Sequence, residues 1–176
     1  MDIRAAIIGA GPSPDDPSRE GYGMGYRHAR AYNRVNGCDV VAIADLVREN
    51  AEAFAAEFDI DPDYVYTDFR EMLDVVEPDI VSVCVPPAAH SEIVIGTAES
   101  GVVEAIHCEK PMAATWSECR EMARSAEDHG VKLTINHQRR FGKPFREAKS
   151  RLDAGDIGDL LRIEVGEKNL YDAGSH

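Results

Sequence analysis

Cys108-Glu109-Lys110-Pro111 places an amine directly after an apolar run that ends at His107. A lysine held beside a positive ring and away from bulk water has its pKa lowered, and can then share in proton transfer. The competing reading of the same four residues is a surface Glu109–Lys110 ion pair followed by a strand-ending proline. Near the other end of the sequence, Asp172 and His176 stand at i and i+4. That spacing puts both on one face of a helix, where a carboxylate can fix the tautomer of an imidazole. Histidine titrates near working pH, as a base that takes one proton from an alcohol must. The competing reading is a pair of solvated residues in a glycine-containing segment. No pair of cysteines among Cys38, Cys84, Cys108 and Cys119 has CxxC spacing or a histidine at zinc-ligand distance. They read as small buried apolar residues, and no metal site is expected.

Gly9-Ala10-Gly11 follows the apolar run Ile3-Arg4-Ala5-Ala6-Ile7-Ile8 and precedes a helical pattern. A strand, glycines and then a helix form a seat for a dinucleotide pyrophosphate, because glycine lets the backbone approach and the helix N-terminus supplies N–H groups. The third glycine of GxGxxG is displaced: Gly25 is the best candidate, with residues 12–22 inserted before it. That insertion, rich in proline and acidic residues, reads as an exposed loop outside the fold. Asp45 ends the second apolar run, where an acidic side chain can accept both ribose hydroxyls and repel a 2′-phosphate, favouring NAD over NADP. An N-cap for the following helix is the other reading of Asp45.

The elements that must position these residues alternate regularly. Short apolar runs at 3–9, 39–44, 64–66, 80–85, 102–107 and 131–135 are separated by helical spacing at 25–36, 47–58, 69–76, 89–100 and 115–129, the last with Thr115 as N-cap. Runs of this kind, apolar on both faces and joined by helices, specify parallel strands with right-handed crossovers. The expected fold class is therefore α/β, a doubly wound parallel sheet of the Rossmann type. Lysine at the end of the fifth strand then falls on the ligand-binding edge. Past residue 137 the rhythm changes. Residues 144–154 read as a helix and 160–165 as a strand with one wet face, so residues 1–137 form a dinucleotide-binding domain and 138–176 begin an α+β second domain.

Composition narrows the function classes. Nineteen Lys and Arg against 32 Asp and Glu give a net charge of −13, which opposes binding to nucleic acid or anionic lipid. No apolar stretch is long enough to span a membrane, and no signal-peptide pattern opens the sequence, so a cytoplasmic location is expected. The cations comprise 5 Lys and 14 Arg. Acidic excess with scarce lysine suggests a halophilic protein, the alternative being an ordinary acidic one.

Gly9-Ala10-Gly11, Asp45, Val85-Pro86-Pro87 with His90, Glu109-Lys110-Pro111, Asn136-His137-Gln138-Arg139-Arg140-Phe141 and Asp172-Ala173-Gly174-Ser175-His176 occur in the order seen in the Gfo/Idh/MocA family. The sequence resembles that family, which includes glucose-fructose oxidoreductase and inositol 2-dehydrogenase, along its whole length. The resemblance implies NAD(P)-dependent hydride transfer to or from a sugar, cyclitol or related secondary alcohol. It implies that Lys110 hydrogen-bonds the reacting oxygen, that His176 is the general base and that Asp172 orients it or binds substrate. It puts Pro86, His90 and Glu109 on the cofactor side with Gly9, Gly11, Gly25 and Asp45. For His90, packing at a helix start is the alternative; Arg139 and Arg140 face either an anionic substrate or a neighbouring acid. Members are considerably longer, with a second half that closes the substrate pocket and builds a homo-oligomer. The chain is accordingly expected to be the N-terminal part of a longer protein, since residues 160–165 are otherwise an unpaired edge. A nucleotide-binding or regulatory module without turnover is the alternative for a chain that ends at His176.

Overall fold

The structure, a computed structural model, describes residues 2–13 and 23–164. It divides into two compact units, residues 1–137 and 138–176.

In the first unit six strands form one parallel sheet: β1 (Ile3–Ile8), β2 (Cys38–Ala44), β3 (Val65–Tyr66), β4 (Ile80–Val83), β5 (Ala105–Cys108) and β6 (Lys132–Ile135), in the order β3-β2-β1-β4-β5-β6. Every neighbouring pair is parallel. The connections carry α1 (Met24–Tyr32), α2 (Arg48–Glu57), α3 (Phe69–Val76), α4 (His90–Glu99) and α5 (Trp116–Asp128). The order reverses between β1 and β4, and an α/β sheet opens a ligand crevice at the carboxyl ends of the strands there.

Strand side chains alternate between two cores. Ala5 and Ile7 pack with Tyr26 and Ala29 of α1 and Phe54 of α2. Ala6 and Ile8 pack with Met72, Leu73, Val94 and Met122 of α3, α4 and α5. A register shift opposite Ala5 and Ala6, which pair with Val40 and Ala42, puts Val40 and Ile43 on the same face. Cover on both faces from Ala5 in β1 and Val81 in β4 explains why these strands read as mainly apolar runs. Tyr26 meets Phe54 edge-on at 4.9 Å between centroids, a preferred aromatic geometry.

Helix starts follow local chemistry. The Asp68 side chain accepts from the Arg70 N–H at 2.8 Å to begin α3. Thr115 and Glu118 form a reciprocal capping box at α5. Several elements differ from the sequence expectation: β5 starts at Ala105 rather than residue 102, and β4 ends at Val83 rather than residue 85. Helix α1 ends at Tyr32 rather than near residue 36, because the chain must turn through Gly37 at φ 75° to enter β2. Described residues 160–164, expected to be part of a strand, have no regular structure; an alternating pattern becomes a strand only where a neighbour supplies hydrogen bonds, and no described residue pairs with them.

The second unit contains a 3-10 turn at Gln138–Phe141 and α6 (Lys143–Asp153), with Pro144 in its first turn, where the missing N–H costs no bond.

Candidate functional site

Gly9 and Gly25 mark the points of closest backbone approach. Gly9 has φ 91°, and a Cβ there would lie 2.8 Å from Val85 Cγ1 and 2.9 Å from the Cys84 carbonyl carbon. A Cβ on Gly25 would lie 2.6 Å from the Gly9 oxygen. Gly25 thus lets α1 press its first turn against the end of β1, the role that the third glycine of a dinucleotide turn serves. A Cβ on Gly11 would stand 3.9 Å from Gly23 Cα. The two ends of the inserted segment therefore meet, and Gly9-Ala10-Gly11 continues in space into Gly23-Met24-Gly25, restoring GxGxxG. Pro12 and Ser13 lie at the edge of this turn, and residues 14–22 of the insertion lie outside the described residues.

Asp45 closes the turn from the second strand. Its Oδ2 accepts from the Ala10 N–H at 2.9 Å and the Gly11 N–H at 3.1 Å, and its Oδ1 from the Val47 N–H at 2.9 Å. Asp45 is not the N-cap of α2, a place held by Val47; its side chain braces the segment before that helix and the glycine turn. A carboxylate offers about four acceptor sites, so a position remains for a hydroxyl. Gly9, Gly11, Asp45, Cys84, Val85 and Pro86 line a cleft of about 540 Å³ that extends toward Asp68, Arg70 and Glu92. Arg70 stacks on the Phe69 ring at 4.4 Å and pairs with Glu92 at 3.2 Å.

Lys110 follows β5, beside the loop after β4; its side chain is exposed and its peptide bond to Pro111 is cis. His90 holds those two loops together from beneath. It is fully buried, with Nδ1 2.9 Å from the Pro111 oxygen and 3.3 Å from that of Met112, and Nε2 2.9 Å from the Val85 oxygen.

Glu109 is also buried, at 5% exposure. Its Oε1 lies 2.9 Å from His28 Nε2 and 2.6 Å from Asn136 Nδ2, and its Oε2 accepts from the Lys110 N–H at 3.1 Å. Burial pushes its carboxyl pKa up, but hydrogen bonds from His28, Asn136 and the Lys110 backbone outweigh that and hold it at about 2. His90 and Glu109, expected on the cofactor side, have their side chains bonded inside the protein, and neither is among the residues that line the cleft. The surface ion pair between Glu109 and Lys110 is absent for the same reason.

Burial lowers the pKa of His107. Burial and the Glu109 charge push Cys108 up to about 12, an inert thiol. Cys38 and Cys108 are buried as expected, whereas Cys84 and Cys119 are half-buried. Among the described residues no cluster of His, Cys, Asp and Glu is arranged to hold a metal ion, and no helix is long and apolar enough to cross a membrane. Asp172 and His176 lie outside the described residues.

Residues 3–137 match the family model for Gfo/Idh/MocA, an oxidoreductase family with an NAD-binding Rossmann fold. The chain belongs to this family. It is 32% identical over 158 residues to D-glucoside 3-dehydrogenase of Escherichia coli, covering 90% of this chain and 41% of that protein. Against inositol 2-dehydrogenase of Salmonella typhimurium the identity is 26% over 164 residues, covering 93% and 45%. The crystal structure of myo-inositol 2-dehydrogenase from Lactobacillus plantarum superimposes with a TM-score of 0.77 at 29% identity, covering 92% of this chain and 44% of that one. The chain spans less than half the length of these relatives.

Proposed function

We propose that the chain supplies the NAD-binding half of an oxidoreductase that moves a hydride between a nicotinamide and a sugar, a cyclitol or a related secondary alcohol. The observation that carries this reading is the restored glycine turn, seated against Asp45 in the cleft and separated by one strand, β4, from the strand that Lys110 follows. The residues fit a dinucleotide: a Cβ at Gly9 or Gly25 would overlap Val85, Cys84 or the Gly9 oxygen, so the two glycines keep the turn tight against α1, whose N-terminus offers N–H groups to a pyrophosphate. Asp45 accepts from a ribose hydroxyl at its remaining position. Asp68 and Glu92 make the same cleft acidic, and its cation Arg70 is already paired with Glu92, so a 2′-phosphate meets net repulsion and NAD is preferred over NADP. Pro86 borders the far end of the cleft.

When bound, the nicotinamide supplies the hydride acceptor or donor. Lys110 hydrogen-bonds the reacting oxygen and orients it. His176 exchanges the proton on that oxygen, and Asp172 fixes the imidazole, roles carried over by family likeness. The acidic surface suits a cytoplasmic, salt-adapted protein, and family likeness carries over a homo-oligomer for the longer protein. The test is Lys110→Met, with turnover on sugars and cyclitols read at the nicotinamide absorbance. Turnover should fall roughly 10²–10⁴-fold, as for a positioned proton-transfer group, with NAD affinity retained. Near-wild-type turnover would remove Lys110 from the chemistry, and loss of NAD binding would make it a cofactor ligand instead.

A further inference from the structure

His28 lies on α1, three residues past Gly25, and is 7% exposed. Its partners come from three other elements. Nδ1 is 3.0 Å from Ser82 Oγ on β4, Nε2 is 2.9 Å from Glu109 Oε1 after β5, and Asn136 Nδ2, after β6, lies 3.3 Å from Nε2 while bonding the same carboxylate oxygen. Ser82 is fully buried and also bonds the Tyr32 hydroxyl at 2.9 Å. One arrangement satisfies every member. The Tyr32 O–H donates to Ser82, the Ser82 O–H donates to His28 Nδ1, and the Nε2–H and the Asn136 amide both donate to an ionised Glu109, whose other oxygen receives the Lys110 N–H. No proton beyond neutral imidazole is needed.

We propose that His28 is a positioning residue that sets Lys110 through the buried Glu109 carboxylate, coupling the helix behind the glycine turn to the loop that carries the reacting amine. The inference rests on the role given above to Lys110. A fully satisfied buried network has few alternative arrangements, so it defines one backbone path for Lys110. Because α1 also packs against the glycine turn, with Gly25 on the Gly9 oxygen, the turn and the Lys110 loop share one rigid part. His28 touches neither substrate nor dinucleotide; it acts only through Glu109. Asn136, whose motif follows the last strand, completes the carboxylate's shell.

Three readouts on this chain test the proposal. Histidine NMR should show His28 as neutral Nε2–H in the wild type. In Glu109→Gln, where the carboxamide oxygen keeps the Lys110 N–H and the NH₂ turns to the ring and to the oxygen of a flipped Asn136 amide, the tautomer should change to Nδ1–H. Amide exchange at Lys110 should accelerate about tenfold in His28→Ala, the loss of one charge-assisted hydrogen bond's restraint, while β1 and β4 amides stay within about threefold of wild type. A purely structural role would raise all of them together. NAD affinity should fall by less than about threefold in His28→Ala, since His28 makes no ligand contact. An Nδ1–H or imidazolium His28 in the wild type, an unchanged tautomer in Glu109→Gln, or unaltered Lys110 exchange would overturn it. If His28→Ala does not fold, the Glu109→Gln tautomer still decides. Failure of the wild type to bind NAD would sink the functional reading, with the NMR results still deciding the positioning.

Discussion

Acid should remove a defined share of the stability of the first unit through Glu109 alone. Its carboxyl is held at about 2 against an ordinary 4.5, so the folded state favours the ionised form. The stabilisation is complete above the unfolded value and is lost as pH falls from about 4.5 through about 2. A fall of that size is worth on the order of 3 kcal/mol, a large fraction of the roughly 5–15 kcal/mol that holds a domain together. Roughly 2 kcal/mol of it is gone by about pH 3. Other carboxylates titrate in the same range, which makes the difference between wild type and Glu109→Gln the informative quantity. Gln keeps the shape and removes the charge. Urea unfolding at a series of pH values should show the wild type ahead near neutrality and the gap closing between about pH 4.5 and about pH 3. A gap that stays constant over that window would refute the assignment of the charge to Glu109, and a gap that widens in acid would reverse its sign.

Asp45→Ser should weaken NAD by about tenfold, the loss of a charge-assisted contact to a ribose hydroxyl, and relax the exclusion of NADP; calorimetric titration with both dinucleotides checks the ratio. Deleting residues 12–22 so that Gly11 joins Gly23 should leave the melting temperature within a few degrees, because the loop ends already meet and closure entropy varies slowly with length; a collapse of the transition would contradict it. Gly25→Ala should cost roughly 1–3 kcal/mol and most NAD binding, since the added methyl overlaps the Gly9 oxygen, measured by denaturant midpoint and titration. Melting temperature should rise between low and molar KCl as salt screens the acidic surface, over about 3 Å at 1 M; a flat or falling curve speaks against salt adaptation.

The sheet was legible because its strands are buried on both faces. Ile3 to Ile8 and Ile80 to Val83 read as apolar runs for the same reason that they pair as β1 and β4. Asp45 was legible through its place at a strand end, and Lys110 likewise. The turn was harder: the residues 12–22 hide its spacing, and only the approach of Gly11 to Gly23 restores it. His28 left almost no trace, since a single histidine on an otherwise apolar helix face reads as packing. The available signal was that Gly25, Tyr26, His28 and Ala29 share a buried face, where a polar residue needs a partner. That partner, Glu109, stands 81 positions away, and its sequence neighbour Lys110 suggested the wrong ion pair. Residues 160–164 failed in the opposite sense, since their alternation names a strand but not the strand beside it.

The meeting of Gly11 and Gly23 has an engineering consequence. A guest domain whose own termini are close together can replace residues 12–22 without changing the path of the host chain on either side, the condition under which domain insertions succeed. Such a guest would stand within a few residues of the pyrophosphate seat, with the host helix α1 as one of its two attachment points. Ligand binding that tightens the turn would draw those attachment points together or hold them fixed. A fluorescent protein grafted there would then report occupancy of the cleft as a change in its emission, converting the segment that obscures the motif in the sequence into a port for reading it out.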